Sequence, residues 1–180
     1  MNRPSEVQRL FNIGLIAAFA TLAFVGTVAI RIPIPASGGY FNLGDTFVMV
    51  AALLYGPTAG ALVGMIGPTA ADAIGFPQFI LATAVVKAVE GWIVAAIGFH
   101  RSAQRQVPAL LAGIFALVAG YYVFEAIVYP LLAGSIPFFG VTDPKAALAE
   151  IVPNLIQGGI SAVLAFGIAR VFSRTTKGSV

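Results

Sequence analysis

Five stretches of this chain, residues 10–30, 46–71, 106–124, 126–142 and 151–169, contain no Asp, Glu, Lys or Arg. A helix rises about 1.5 Å per residue, so about 20 apolar residues cross a hydrocarbon layer about 30 Å thick. Several of the stretches reach that length. Only 9% of the residues are charged and 59% are hydrophobic, with a mean hydropathy of +0.95, which excludes a soluble monomer. The first apolar run ends in Arg31-Ile32-Pro33-Ile34-Pro35 without a small-x-small cleavage site, and so reads as a retained span. With no Cys there is no disulfide framework, thiolate metal site or cysteine nucleophile. A net charge of +3 follows from membrane topology and says nothing about nucleic acid.

The expected fold is an all-α integral membrane protein, one domain over residues 1–180 with six transmembrane helices in one bundle, spanning about 10–30, 45–56, 57–74, 78–99, 108–132 and 144–172. The Ile-Pro pairs after the first span force an extended segment, and Ser37-Gly38-Gly39 makes a turn. Gly56-Pro57 divides the next apolar stretch into two helices, the first of them short. Charge parity supports the division. With both termini cytoplasmic, the inner loops hold Arg3, Arg9, Arg101, Arg105, Arg170, Arg174 and Lys177, and the outer ones only Arg31 and Lys145. Asp143-Pro144 is expected to cap the last helix.

A charge at bilayer depth costs several kcal/mol unless it is paired or solvated, so the few charges within the spans are the sharpest functional signal. Asp45 opens helix two and Asp72 closes helix three at the outer face; Lys87, Glu90, Glu125, Asn154 and Gln157 fall in the outer half to middle of helices four to six. Residues three, four and seven apart share a helix face. Thr83, Lys87 and Glu90 align on helix four, Tyr122, Glu125 and Tyr129 on helix five, and Glu150, Asn154, Gln157 and Ser161 on helix six. Mutual neutralisation of Lys87 and Glu90, with Asn154 and Gln157 joining helices, is the plainer reading. Helix joining has no reason to be confined to one depth, whereas a pocket opening outward does. Tyr122, Tyr129 and Trp92 suit a flat heteroaromatic ring.

Gly56, Gly60, Gly64, Gly67 and Ala71 give helix three a smooth face for close packing. Gly14/Ala18 and Ala17/Thr21 do the same for helix one, for a neighbour within the chain or another subunit. Enzyme chemistry finds no support. The phosphate-cradling G-x-x-x-x-G-K-[ST] loop is missing, His100 lies in a loop far from Ser161, Asp45 and Asp72 sit at helix ends, and one His without Cys makes no zinc site.

The segment Gly39-Tyr40-Phe41-Asn42-Leu43-Gly44-Asp45, running through Ala51-Ala52-Leu53-Leu54-Tyr55-Gly56-Pro57 to Gly64-Met65-Ile66-Gly67 and Ala71-Asp72, resembles the substrate-binding S components of energy-coupling-factor (ECF) vitamin transporters, particularly the riboflavin-type group. Lys87-Ala88-Val89-Glu90-Gly91 and Pro153-Asn154-Leu155-Ile156-Gln157-Gly158 extend the likeness, which covers most of residues 10–172. The resemblance implies a subunit of the prokaryotic inner membrane that captures a water-soluble vitamin or precursor from outside, with the helix one–two loop as a lid. It implies as partners a transmembrane coupling subunit and two cytoplasmic ATPases, and no cofactor. Asn42, Asp45, Lys87, Glu90, Tyr122, Glu125, Tyr129, Asn154 and Gln157 are then the expected substrate-binding residues. The family's docking surface for the coupling subunit is similar to Gly14, Ala17, Ala18 and Thr21, although Leu22 interrupts the small-residue spacing after Ala18. The alternative is a stand-alone ion-coupled carrier using Asp45, Lys87, Glu90 and Glu125, for which no inverted repeat is visible.

Overall fold

A computed structural model describes residues 5–35, 39–132 and 144–175. The expected turn residues Ser37 and Gly38 and the capping Asp143 lie outside the described residues.

Helix α1 spans Glu6–Ala29, with Ser5 accepting a hydrogen bond from the Gln8 amide at 3.3 Å to cap its start. The Ile-Pro segment that follows is not simply extended. It forms strand β1, Ile32–Ile34, paired antiparallel with strand β2, Gly39–Phe41, so that Pro33 faces Tyr40. Both strands of a two-stranded ribbon are edges, and an edge tolerates a proline that cannot donate to a ladder. Among the described residues the bundle's secondary structure is thus helical except for this ribbon at one end, called the hairpin end below.

Helix α2, Gly44–Tyr55, has 12 residues. It is about 18 Å long, too short to cross the hydrocarbon layer alone. Gly56 turns the chain with φ 92°, in the left-handed region that favours glycine, and Pro57 opens α3, Pro57–Gly75, at its first position. Helix α4, Pro77–Gly98, starts with a 3₁₀ turn; α5, Ala103–Leu132, contains a π turn at Phe124–Val128; α6, Pro144–Thr175, runs for 32 residues. Among the described residues four helices are long and apolar enough to cross a membrane: α1, α4, α5 and the Ala147–Ser173 part of α6. Phe115, Leu131 and Val163 stand open on the outside of the bundle, as side chains facing lipid do.

The centre of the bundle is an apolar cluster from α2, α4, α5 and α6, built on Met49, Leu53, Val94, Leu110 and Ala165. Among the described elements α3 and α4 pack more extensively than any other pair. Glycine makes that possible. A Cβ on Gly60 would lie 2.6 Å from the Gly91 carbonyl oxygen, one on Gly64 would collide with the Lys87 carbonyl, and one on Gly67 would meet the Ala20 carbonyl on α1 at 2.5 Å. The smooth face of α3 is used inside the chain. Helix α1, by contrast, buries only Ala20, Ala23 and Thr27, and leaves Gly14, Ala17, Ala18 and Thr21 exposed. An apolar groove of about 520 Å³ runs between α1 and α3, bordered by Ala17, Thr21, Leu62 and Ile66.

Candidate functional site

Most of the buried polar side chains of the bundle collect at the hairpin end. Asn42 prepares the start of α2: its Oδ1 accepts the Gly44 amide at 2.9 Å, satisfying one of the donors that every helix N-terminus leaves open. Its own amide and its Nδ2 donate to Gln157 Oε1 at 2.8 and 3.2 Å. Gln157 in turn donates from Nε2 to Asp45 Oδ2 at 2.7 Å, and the Lys87 ammonium donates to Asp45 Oδ1. Glu90, one turn further along α4, places Oε2 3.5 Å from Lys87 Nζ. Asp45, Lys87, Glu90 and Gln157 are all buried. A charge in such a place is costly unless paired, and the Lys87–Asp45 contact with its amide neighbours is the pairing.

Above this floor the walls carry aromatic groups. Thr83 and Tyr121 share a hydrogen bond at 2.8 Å, and Lys87 Nζ lies 5.4 Å from the centre of the Tyr121 ring. On α6 Asn154 Nδ2 donates to Glu150 Oε2 at 3.3 Å. The ribbon closes the top. Tyr40 donates its hydroxyl to Asp72, and its ring stands 4.3 Å from that of Phe76. The Arg31 guanidinium sits 5.2 Å from the Tyr40 ring and 5.4 Å from Phe76 while donating to the Ala71 carbonyl at 2.6 Å. Burial first, then the neighbouring Asp72 carboxylate, pushes the Tyr40 hydroxyl well above its ordinary value, so the hydroxyl remains a donor. Gly39 lies directly against the Glu150 carboxylate, where a Cβ would have no room.

Between floor, walls and ribbon an open space of about 20 Å³ remains. That is room for about one water molecule, whereas sites for small organic ligands measure about 300–1,000 Å³. Of the residues expected to bind substrate, Asn42, Lys87, Asn154 and Gln157 border this space. Asp45 and Glu90 lie beneath Lys87, and Glu125 and Tyr129 are buried without bordering the space. Tyr122 does not border it either; Tyr121 takes the place expected of it. Tyr121 and Tyr122 precede Glu125 by four and three residues, spacings that both reach its helix face, and it is Tyr121 that turns to Thr83 and Lys87. Trp92 is 54% exposed on the outer surface of α4 and takes no part. Tyr40, Asp72, Phe79 and Glu150 border the space without having been expected to bind substrate. Asp72 stands in the sequence as a charge at the outer end of helix three, after a 26-residue charge-free run, but was not placed among the binding residues. Tyr40 carries no such mark.

Three comparisons with known proteins bear on this arrangement. The family described as "ECF-type riboflavin transporter, S component" matches residues 6–174. A protein of Pyrococcus woesei, described as an uncharacterized protein in gap 3′ region, is 32% identical over 152 residues, 83% of this chain and 93% of that one. A solved structure titled "Structure and mechanism of the S component of a bacterial ECF transporter" superposes with a TM-score of 0.72 over 94% of this chain and 99% of that one, at 18% identity, a likeness of fold. The resemblance carried by the Asn42-Leu43-Gly44-Asp45 segment is borne out by the family match.

Proposed function

The chain belongs to the family of ECF-type riboflavin transporter S components, membrane-embedded substrate-binding subunits and not enzymes, and from that premise we propose that it captures a water-soluble vitamin or vitamin precursor at its hairpin end. The observation that carries the proposal is the linked set Lys87, Asp45, Gln157 and Asn42, buried at one end of a bundle whose centre is an apolar cluster, and roofed by the β1–β2 ribbon. A polar set of this size serves no packing purpose that apolar residues would not serve at lower cost. The ribbon is the lid. Its closure rests on the Tyr40–Asp72 hydrogen bond and on Arg31, and a vitamin-sized ligand needs it lifted because the closed space is about 20 Å³.

Energy comes from elsewhere, since the sequence holds no phosphate-cradling loop: a transmembrane coupling subunit and two cytoplasmic ATPases are the proposed partners, in the prokaryotic plasma membrane. The exposed small-residue face of α1, Gly14, Ala17, Ala18 and Thr21, is the proposed docking surface. Two measurements test this reading. Mass spectrometry of small molecules released from the purified subunit should identify a heterocyclic vitamin or precursor. Proteoliposome uptake should need the coupling subunit, the ATPases and ATP together; uptake by this chain alone, driven by a proton or sodium gradient, would replace the proposal with an ion-coupled carrier.

A further inference from the structure

Helices α5 and α6 pack against each other, and the part of their seam far from the ribbon stands open. An apolar groove of about 380 Å³ lies there, bordered by Val107, Leu111 and Ile114 on α5 and by Gly159, Ala162 and Phe166 on α6. Val107 is 14 residues from Tyr121 and Phe166 is 16 residues from Glu150, so the groove's far end is about 20 Å from the binding space. The hollow comes from the sequence, where small Gly159 and Ala162 face larger side chains across the seam. A Cβ on Gly159 would meet no atom within 4 Å, whereas one on Gly158 would press on Ile114 at 3.1 Å. From Ile114 to Val107 the groove follows α5 for about 10 Å, in a hydrocarbon layer about 30 Å thick. It is short enough to lie within one leaflet.

A cation continues the groove beyond Phe166. Arg170 follows Phe166 by four residues and Val163, which also borders the groove, by seven, spacings that share one helix face. It is half-buried and forms no ion pair among the described residues. Helices α5 and α6 carry one acidic residue each, Glu125 and Glu150, and both lie in the halves nearest the ribbon. Glu6 is at the far end too, but on α1, which packs against α2 and α3. Membrane topology accounts for arginines at this end, but not for one in line with an apolar hollow. We propose that the groove holds an acyl chain of an anionic phospholipid whose phosphate pairs with Arg170. Hydrocarbon restores the contacts that the hollow leaves unmade, and the guanidinium offers a phosphate paired, charge-assisted hydrogen bonds. A zwitterionic headgroup carries the same phosphate beside its own cation and gains less. The occupant is thus selected by charge, on a side of the bundle away from the small-residue face of α1.

The full-length subunit in neutral detergent is titrated with dioleoyl phosphatidylglycerol, dioleoyl phosphatidylcholine and glycerol phosphate, and bound copies are read by native mass spectrometry. One phosphatidylglycerol should be held about fivefold more tightly than phosphatidylcholine, the effect of one cation, and glycerol phosphate should not bind. Arg170→Gln should abolish the preference and Arg170→Lys should keep most of it. Arg9→Gln, at the same end but on α1, should leave it unchanged. Gly159→Leu fills the groove without meeting a neighbour, so it should reduce retention of both lipids while melting in detergent holds. If that variant fails to fold, the two Arg170 variants decide the matter. Equal retention of the two lipids by the parent overturns the assignment, as does a preference that survives Arg170→Gln or disappears in Arg9→Gln. Binding of glycerol phosphate alone would give Arg170 to a free anion and remove the lipid. If Gly159→Leu retains both lipids but loses ATP-driven uptake, the groove takes a helix of another subunit and the lipid proposal falls.

Discussion

Helices α1 and α4 are both long and apolar enough to cross a membrane, yet the bundle uses them in opposite ways. In the most apolar part of α4, 44% of the residues are buried; in that of α1, 17% are. Helix α4 turns Thr83, Lys87, Glu90 and Gly91 inward, while α1 contributes Ala20, Ala23 and Thr27 and leaves a small-residue face uncovered. Hydropathy decides that both helices enter the bilayer. Where the polar and small residues fall along each helix decides whether its partners lie within this chain or outside it. The contrast implies that binding belongs to α4 with its neighbours and assembly to α1, and each half of that division can be broken separately.

The largest effect is expected from Lys87→Met. The substitution keeps much of the volume but leaves Asp45 and Glu90 buried without their cation, and removing one partner of a buried pair costs about 3–5 kcal/mol. The isolated subunit should melt many degrees lower and lose ligand binding. Near-parental melting would mean that Asp45 and Glu90 are carried neutral, and that Lys87 does not organise the floor.

Gly91→Val tests the other inward feature of α4. The glycine backbone approaches that of Gly60 so closely that no Cβ fits, so the added side chain must push α3 and α4 apart. Overpacking of this kind costs about 1–3 kcal/mol. Thermal melting in detergent measures it, and an unchanged melting point would show that the α3–α4 seam is looser than it stands.

The α3 side of this seam was legible in the sequence, because glycines four apart on a charge-free run have few other uses in lipid, and Gly56-Pro57 announced the break between α2 and α3; the partner glycine, Gly91, was not. Much of the polar floor was legible too, since Asn42, Lys87, Asn154 and Gln157 stand out against apolar neighbours. Tyr121 was not. Tyr121 and Tyr122 lie four and three residues before Glu125, and the helical period alone admits either of them to its face. The ribbon was hidden for a different reason: a proline-rich extended segment signals that it is not helical, but pairing Pro33 with Tyr40 depends on the loop folding back. The Tyr40–Asp72 contact follows from that fold-back and has no local pattern of its own.

Tyr40→Phe should have a smaller effect. It keeps the ring against Phe76 and Arg31 but removes the donor to Asp72, a loss of about 1 kcal/mol, or about fivefold faster ligand release, in stopped-flow measurements. The pH dependence has a definite sign. The hydroxyl is held above its ordinary value of 10.0, so its contribution to closure is full below pH 10.0 and is lost as pH rises through the higher value in the folded protein. Release that quickens between pH 6 and 8 through Tyr40 would contradict the latch.

The smallest effect on the isolated subunit, and the one that separates the two helices most sharply, is expected from Gly14→Leu combined with Ala18→Leu. A Cβ on Gly14 meets no atom within 4 Å, and Ala18 is exposed, so bulk added at either position touches nothing in this chain. Exposed substitutions away from special features change stability by less than about 0.5 kcal/mol, and the polar floor lies on α2, α4 and α6. Ligand affinity and melting should therefore match the parent. In lipid, however, a smooth face is useful because another helix can approach it closely, and two leucines fill that approach. ATP-driven uptake by the assembled transporter should fall sharply while binding persists. Normal transport by the double variant would move the docking surface off this face of α1; loss of ligand affinity with the fold intact would place α1 in the binding site and abolish the contrast with α4.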